Sequence, residues 1–246
     1  MAGRYNYFSI TPYYEWNIDS LGKKLTVNYA YIRNHGKENQ HYSANAELPF
    51  YDSFVDNPTV YQCYNLDLKL PFTWMNFETG GEYRKYDVDN ISEYSTKDEF
   101  HYDESVLSVY ADVNKTFGKW YAKLGARYEQ SRQEGVSNTT SGDVNLKYSK
   151  LFPFVDVAFH ITEDQSLVFG YSKRIERPDM YLLNPTRTYS DSYLYFSGTP
   201  QLRPAMKDYL ELKYTYNNLY IDMSYIYTQD AVDCVSQESK EGVMNV

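Results

Sequence analysis

No apolar run in this chain approaches the ~20 residues that a membrane-crossing helix needs, so a helical membrane protein is excluded. That absence does not exclude a barrel, whose strands show only alternation. The N-terminal MAGRYNYFSI has no basic stretch followed by an apolar core, so a signal peptide is not expected there. Basic residues are short too: the net charge is -9, which argues against nucleic acid as a partner, because phosphate binding needs a cationic surface. Cysteine is nearly absent. Cys63 and Cys234 fall about seven strands apart in the order proposed below, too far to bridge in an open sheet, and read as two free thiols. None of the four histidines (His35, His41, His101, His160) has ligand spacing, and no G-x-S-x-G, phosphate-loop or paired-cysteine motif occurs. No cofactor and no metal site are expected.

Tyrosine is what the chain has in excess: 29 residues, against 12 phenylalanines and 3 tryptophans. It favours strands and polar–apolar boundaries, membrane interfaces included. Its neighbours follow period 2, the mark of a strand between unlike environments. In the pair around Asn217-Asn218, Leu210, Leu212, Tyr214 and Tyr216 share one face, as do Leu219, Ile221, Met223, Tyr225 and Tyr227. Glu211, Lys213 and Asp222 lie opposite.

About ten such strands can be drawn: 5–17 (interrupted at Pro12), 24–33, 59–70, 75–88, 102–115, 120–130, two between 151 and 174, and two from 209 to 228. Short links alternate with long polar ones, at 34–58, 89–101, 131–148 and 175–204. Outer-membrane barrels show this asymmetry. Charges on the face opposite the apolar residues (Asp67, Lys69, Glu78, Glu82, Arg84, Lys123, Arg127) suit a polar lumen. Trp16, Tyr64, Trp120, Tyr128, Tyr216 and Tyr220, near strand ends, suit interfacial girdles facing outer-membrane lipid. The fold expected is all-β, an antiparallel up-and-down transmembrane β-barrel segment over residues 1–246. A soluble antiparallel β domain is the alternative.

The stretch from Arg174 carries the most specific pattern: Arg174, Arg177-Pro178, Leu183-Asn184-Pro185, Gly198-Thr199-Pro200, Leu202, Pro204, then Glu211-Leu212-Lys213-Tyr214. It resembles the C-terminal barrel region of TonB-dependent outer-membrane receptors, in particular their outer-membrane β-barrel family. Thr199 stands where Asn is usual, and Ala205 where Glu commonly follows. The resemblance implies a barrel of about 22 strands around a plug, importing a bound ligand with energy from the TonB complex. This chain would be an internal piece without plug or terminal strands. A surface lipoprotein capping the barrel stays open as a further partner, and the imported ligand is unnamed.

Two sets of residues stand as site candidates. In the long link, Arg177, Arg187, Tyr181, Tyr189, Tyr193 and Tyr195 could hold an anionic or sugar-like ligand by forked hydrogen bonds and stacking. The plainer reading is a loop packed on itself, with the arginines paired to Asp179 or Asp191. Glu78, Glu82, Arg84, Lys123 and Arg127 could contact a plug, or satisfy one another across the wall. A ten-stranded outer-membrane hydrolase with an acid–histidine pair at its mouth is the rival, and would depend on His101 or His160.

Overall fold

A computed structural model describes residues 2–42, 51–93, 97–138, 142–189, 194–235, 237–238 and 244–245. Nearly all of it is strand. In chain order these are β1 (Ala2–Ile10), β2 (Tyr13–Asn17), β3 (Lys24–Tyr42), β4 (Tyr51–Pro71), β5 (Asn76–Glu93), β6 (Lys97–Phe117), β7 (Trp120–Ser137), β8 (Val144–Thr162) and β9 (Gln165–Glu176). There follow a one-turn helix α1 (Met180–Leu183), the short β10 (Thr188–Tyr189) and β11 (Leu194–Phe196), then β12 (Ala205–Tyr216) and β13 (Leu219–Gln229). β14 (Gln237–Glu238) and β15 (Met244–Asn245) join β10 and β11 in a small four-stranded sheet.

Among the described residues the main sheet has eleven strands in the order β1-β3-β4-β5-β6-β7-β8-β9-β12-β13, with β2 also on β3; every pairing is antiparallel and the sheet is not closed. β1 and β2 both pair with β3 and are two halves of one line, broken at Pro12, which has no N–H to give to a ladder. Tight turns serve one rim. Gly118 (φ 58°) and Asn217 (φ 49°) supply the left-handed residue that two-residue turns demand.

The opposite rim departs from expectation. Three of the four stretches read as long polar loops are largely strand: β3 and β4 continue through 34–42 and 51–58, β5 and β6 through 89–93 and 97–101, and β7 and β8 through 131–137 and 144–148. Polar residues alternate there as strictly as apolar ones do lower down, but with water on the outer side they leave no hydropathy signal. The asymmetry of the rims is real, and is carried by tall strands rather than loose loops. Strands β3 to β8 hold 18 to 21 residues, where ~9–11 cross a bilayer.

One face of the sheet is apolar and uncovered. Leu66, Leu107, Val109, Leu124 and Leu151 are each about half exposed, with no second layer over them among the described residues. A soluble antiparallel domain would bury this face, so that alternative fails. On β7 the uncharged run Trp120, Ala122, Leu124, Ala126, Tyr128 spans about 27 Å along the strand, or on the order of 20 Å along a membrane normal at usual tilt. Aromatics bound it: Trp120 stacks on Phe159 at 4.4 Å, and Tyr64 lies 4.7 Å from Tyr29 and 6.4 Å from Tyr83. Tyr220 is a correction, for Thr215↔Tyr220 pairing puts it on the polar face beside Asp222, outside the girdle. Cys63 and Cys234 are both free thiols, the first buried and the second exposed.

Candidate functional site

The apolar core of the molecule does not lie within the membrane-height part of the sheet. It lies above it, on the polar face, where the 177–204 connection folds back as a strap. Asp179 caps α1 by accepting from the Tyr181 N–H at 3.0 Å. The cap turns Met180 and Leu183 onto Val88, Phe100, Tyr102 and Val144 of β5, β6 and β8, with Tyr86 and Leu202 at the margin. Leu183 and three of its partners are ~1 % exposed. Burying two such side chains is worth roughly 1.5–3 kcal/mol each, which is what holds a nearly irregular segment against the wall.

Polar contacts set its register. Asn184 donates to Asn90 Oδ1 at 3.3 Å, and Asn90 donates to Asn57 Oδ1 at 2.6 Å, so amides run from strap through β5 to β4. The Asn184 carboxamide oxygen also accepts from the Thr186 N–H (3.0 Å) and hydroxyl (2.8 Å). The return limb closes onto the outgoing one through Gly198 N–H to Asn184 O at 2.8 Å and Thr199 N–H to Leu182 O at 2.7 Å. A Cβ at Gly198 would lie 2.4 Å from the Leu182 carbonyl oxygen, a backbone atom that cannot swing away. Gly198→Ala should therefore part the two limbs and cost about 1–3 kcal/mol of local stability, read as faster hydrogen exchange at the 199 and 202 amides with the barrel strands unchanged.

Arg177 is the strap's deepest contact. Its guanidinium donates to Glu129, which is 1 % exposed, lies 3.7 Å from Glu104 and stacks over Tyr148 at 5.8 Å. Arg127 reaches the other Glu129 oxygen at 2.6 Å. Glu104 accepts further from Tyr102 (3.0 Å) and Gln133 (3.1 Å). Burial works against the Arg177 charge, but Tyr148 and the two carboxylates outweigh it and hold the guanidinium protonated. Burial, with Glu104 beside it, pushes the Tyr102 phenol far up, keeping it a donor.

The remaining candidates separate. Arg187 is exposed and stacks over the Tyr195 ring at 4.7 Å, while Tyr195 itself is buried. Tyr181 is exposed on the strap's outer side. The Tyr189 backbone pairs with Tyr195; Tyr193 lies outside the described residues. Of the lumen set, all five share the polar face and each has a partner in the wall: Glu78 with Lys69 (3.3 Å), Glu82 with Arg84 (3.8 Å), Lys123 with Asp112 (3.3 Å), Arg127 with Glu129. Among the described residues two acid–histidine pairs occur, His35–Asp56 at 2.6 Å and His101–Asp89 at 2.7 Å. Strand parity turns both to the outer side of the tall strands, away from the strap. Glu104 and Glu129, the partners that matter most, had no signal beyond parity. Phe100 and Val144 fall inside stretches read as loops, and Tyr102 opens the strand read at 102–115.

A family model described as outer membrane protein beta-barrel family matches residues 16–246. No curated protein sequence matches the chain. Among solved structures, the copper transporter OprC superposes with TM-score 0.70 at 13% identity, over 98% of this chain and 42% of its own. The ferric yersiniabactin uptake receptor FyuA from Yersinia pestis gives 0.65 at 12%, over 92% and 36%. The ferric-catecholate import receptor Fiu from E. coli gives 0.62 at 10%, over 98% and 43%. The chain thus spans less than half of each of these structures.

Proposed function

Because the chain belongs to the outer membrane protein beta-barrel family, and so to the Gram-negative outer membrane, we propose that it is an arc of the wall of a ligand-importing receptor, closed by further strands around a plug and energised by the TonB complex. It binds and moves a ligand rather than transforming one. The observation that carries this reading is the strap: a connection folded onto the lumen side and locked there by a buried guanidinium and an apolar clasp. A simple diffusion pore gains nothing from narrowing its own mouth so firmly, whereas a receptor needs a shaped vestibule.

Within that vestibule the exposed Arg187, stacked on Tyr195, and the exposed Tyr181 form the ligand-facing set, recognising an anionic or sugar-like compound, and Arg177 supports the strap from beneath. Glu78, Glu82, Arg84, Lys123 and Arg127 face the plug as a wall already neutralised by its own pairs, which lets a plug slide or unfold without stranding charge. Deleting the encoding gene, and separately the energising complex, should abolish accumulation of the same compound from a labelled panel of anionic glycans and metal chelates. Arg187→Ala should lower that uptake roughly tenfold, the worth of one charged hydrogen bond, with the protein's abundance unchanged. Accumulation that survives both deletions sinks the proposal.

A further inference from the structure

On the outer side of β4 to β8 the registered pairs sort by chemistry into bands. One line of partners reads Leu66, Gly81, Val109, Tyr128, Leu151; the next reads Tyr64, Tyr83, Leu107, Gln130, Ser149. Then come Gln62, Lys85, Ser105, Arg132, Lys147, whose only charges are positive. The line above, Val60, Asp87, Asp103, Glu134, Asn145, has only negative ones. Arg132 and Lys147 therefore stand directly over Gln130 and Ser149, the first polar residues beyond the lipid-facing Tyr128 and Leu151. A groove of about 580 Å³ crosses this step, floored by Tyr83 and Leu107 and edged by Ser105, Arg132, Lys147 and Ser149.

We infer that this groove seats a phosphorylated, acylated lipid of the outer leaflet, its phosphate on Arg132 and Lys147 and the start of an acyl chain on Tyr83 and Leu107. Continuity with the lipid-facing band sets the apolar end against the bilayer, and the cationic edge lies where headgroup phosphates begin. Serine hydroxyls and the Gln130 amide offer further donors to phosphate oxygens. Without lipid, Glu134 accepts both Arg132 bonds at 2.7 Å and lies 3.7 Å from Lys147. It neutralises one of two cations and leaves one net positive charge for the phosphate. This seat is independent of what the vestibule imports.

The test is lipid retention by the native outer-membrane protein in nanodiscs of phosphatidylethanolamine with diphosphoryl lipid A as probe. Arg132, Lys147 and Lys97 are exposed and Glu134 is half-buried on the outer surface, so none of these changes opens a core. Arg132→Gln with Lys147→Gln should cut the lipid A held per protein at least tenfold, the worth of ~1.4 kcal/mol. Glu134→Gln should raise it several-fold, while Lys97→Gln, higher on the same side, should leave it unchanged. Equal retention in the double variant, a matching loss with Lys97→Gln, or displacement by millimolar inorganic phosphate alone would overturn the inference; the last would reveal an anion site indifferent to acyl chains.

Discussion

Leu124→Arg is expected to destabilise the barrel by about 2–4 kcal/mol, the cost of a guanidinium near the bilayer midplane. Leu124 lies midway along the uncharged run of β7, between Trp120 and Tyr128, with its side chain 59% exposed on the outward face. The informative control is Val136→Arg on the same strand and face, at 57% exposure. Val136 stands above the polar step at Gln130, in water, where a surface substitution shifts stability by roughly 0.5 kcal/mol or less. Equal exposure, similar residues and one strand leave height as the main variable. Urea unfolding of the complete barrel from lipid vesicles would read both. Equal losses would mean that the apolar face does not meet lipid.

Arg177→Ala should free the strap, with a local cost of about 3 kcal/mol or more, since removing one partner of a buried ion pair strands the other. Glu129 keeps Arg127 at 2.6 Å, which places the loss at the lower end of that range. Limited proteolysis would then cut between Pro178 and Thr186, where Met180, Leu183 and Asn184 hold the chain against the wall. Arg177→Lys keeps the charge but not the planar fork, and should fall between. Arg187→Ala, at an exposed stacked position, should leave the strap resistant. A strap that stays protected without Arg177 would mean that Met180 and Leu183 suffice.

The strand pattern was legible wherever one side of the sheet meets lipid, because Leu, Val and Tyr alternating with Asp, Lys and Glu admit one explanation. It fades beyond Gln130 and Ser149, where polar residues dominate and hydropathy contrast is weak; there the pattern predicts a loop over 131–148 in place of the upper ends of β7 and β8. The motif around Arg177, Leu183-Asn184-Pro185 and Gly198-Thr199-Pro200 was visible, but its physical meaning was not. In the sequence Arg177 is either a ligand residue or, on the plainer reading, a partner for Asp179 or Asp191, because nothing in a linear sequence marks Glu129, forty-eight positions earlier, as its partner. The wall pairs were half visible. Parity puts Glu78, Lys69 and Lys123 on one face, and only the register shows which groups touch, Lys69 with Glu78 and Lys123 with Asp112.

The uneven heights of the strands have a consequence for anything arriving from outside. β3 to β7 run on for several residues past their last lipid-facing side chain, whereas β9, β12 and β13 stop within a few. This arc of wall is thus a parapet on one flank and a sill on the other. The strap springs from the sill, after β9, and leans across to grip the parapet at Glu129. In the proposed receptor a bulky ligand would approach over the sill, where the strap's root lies beside the 228–234 segment.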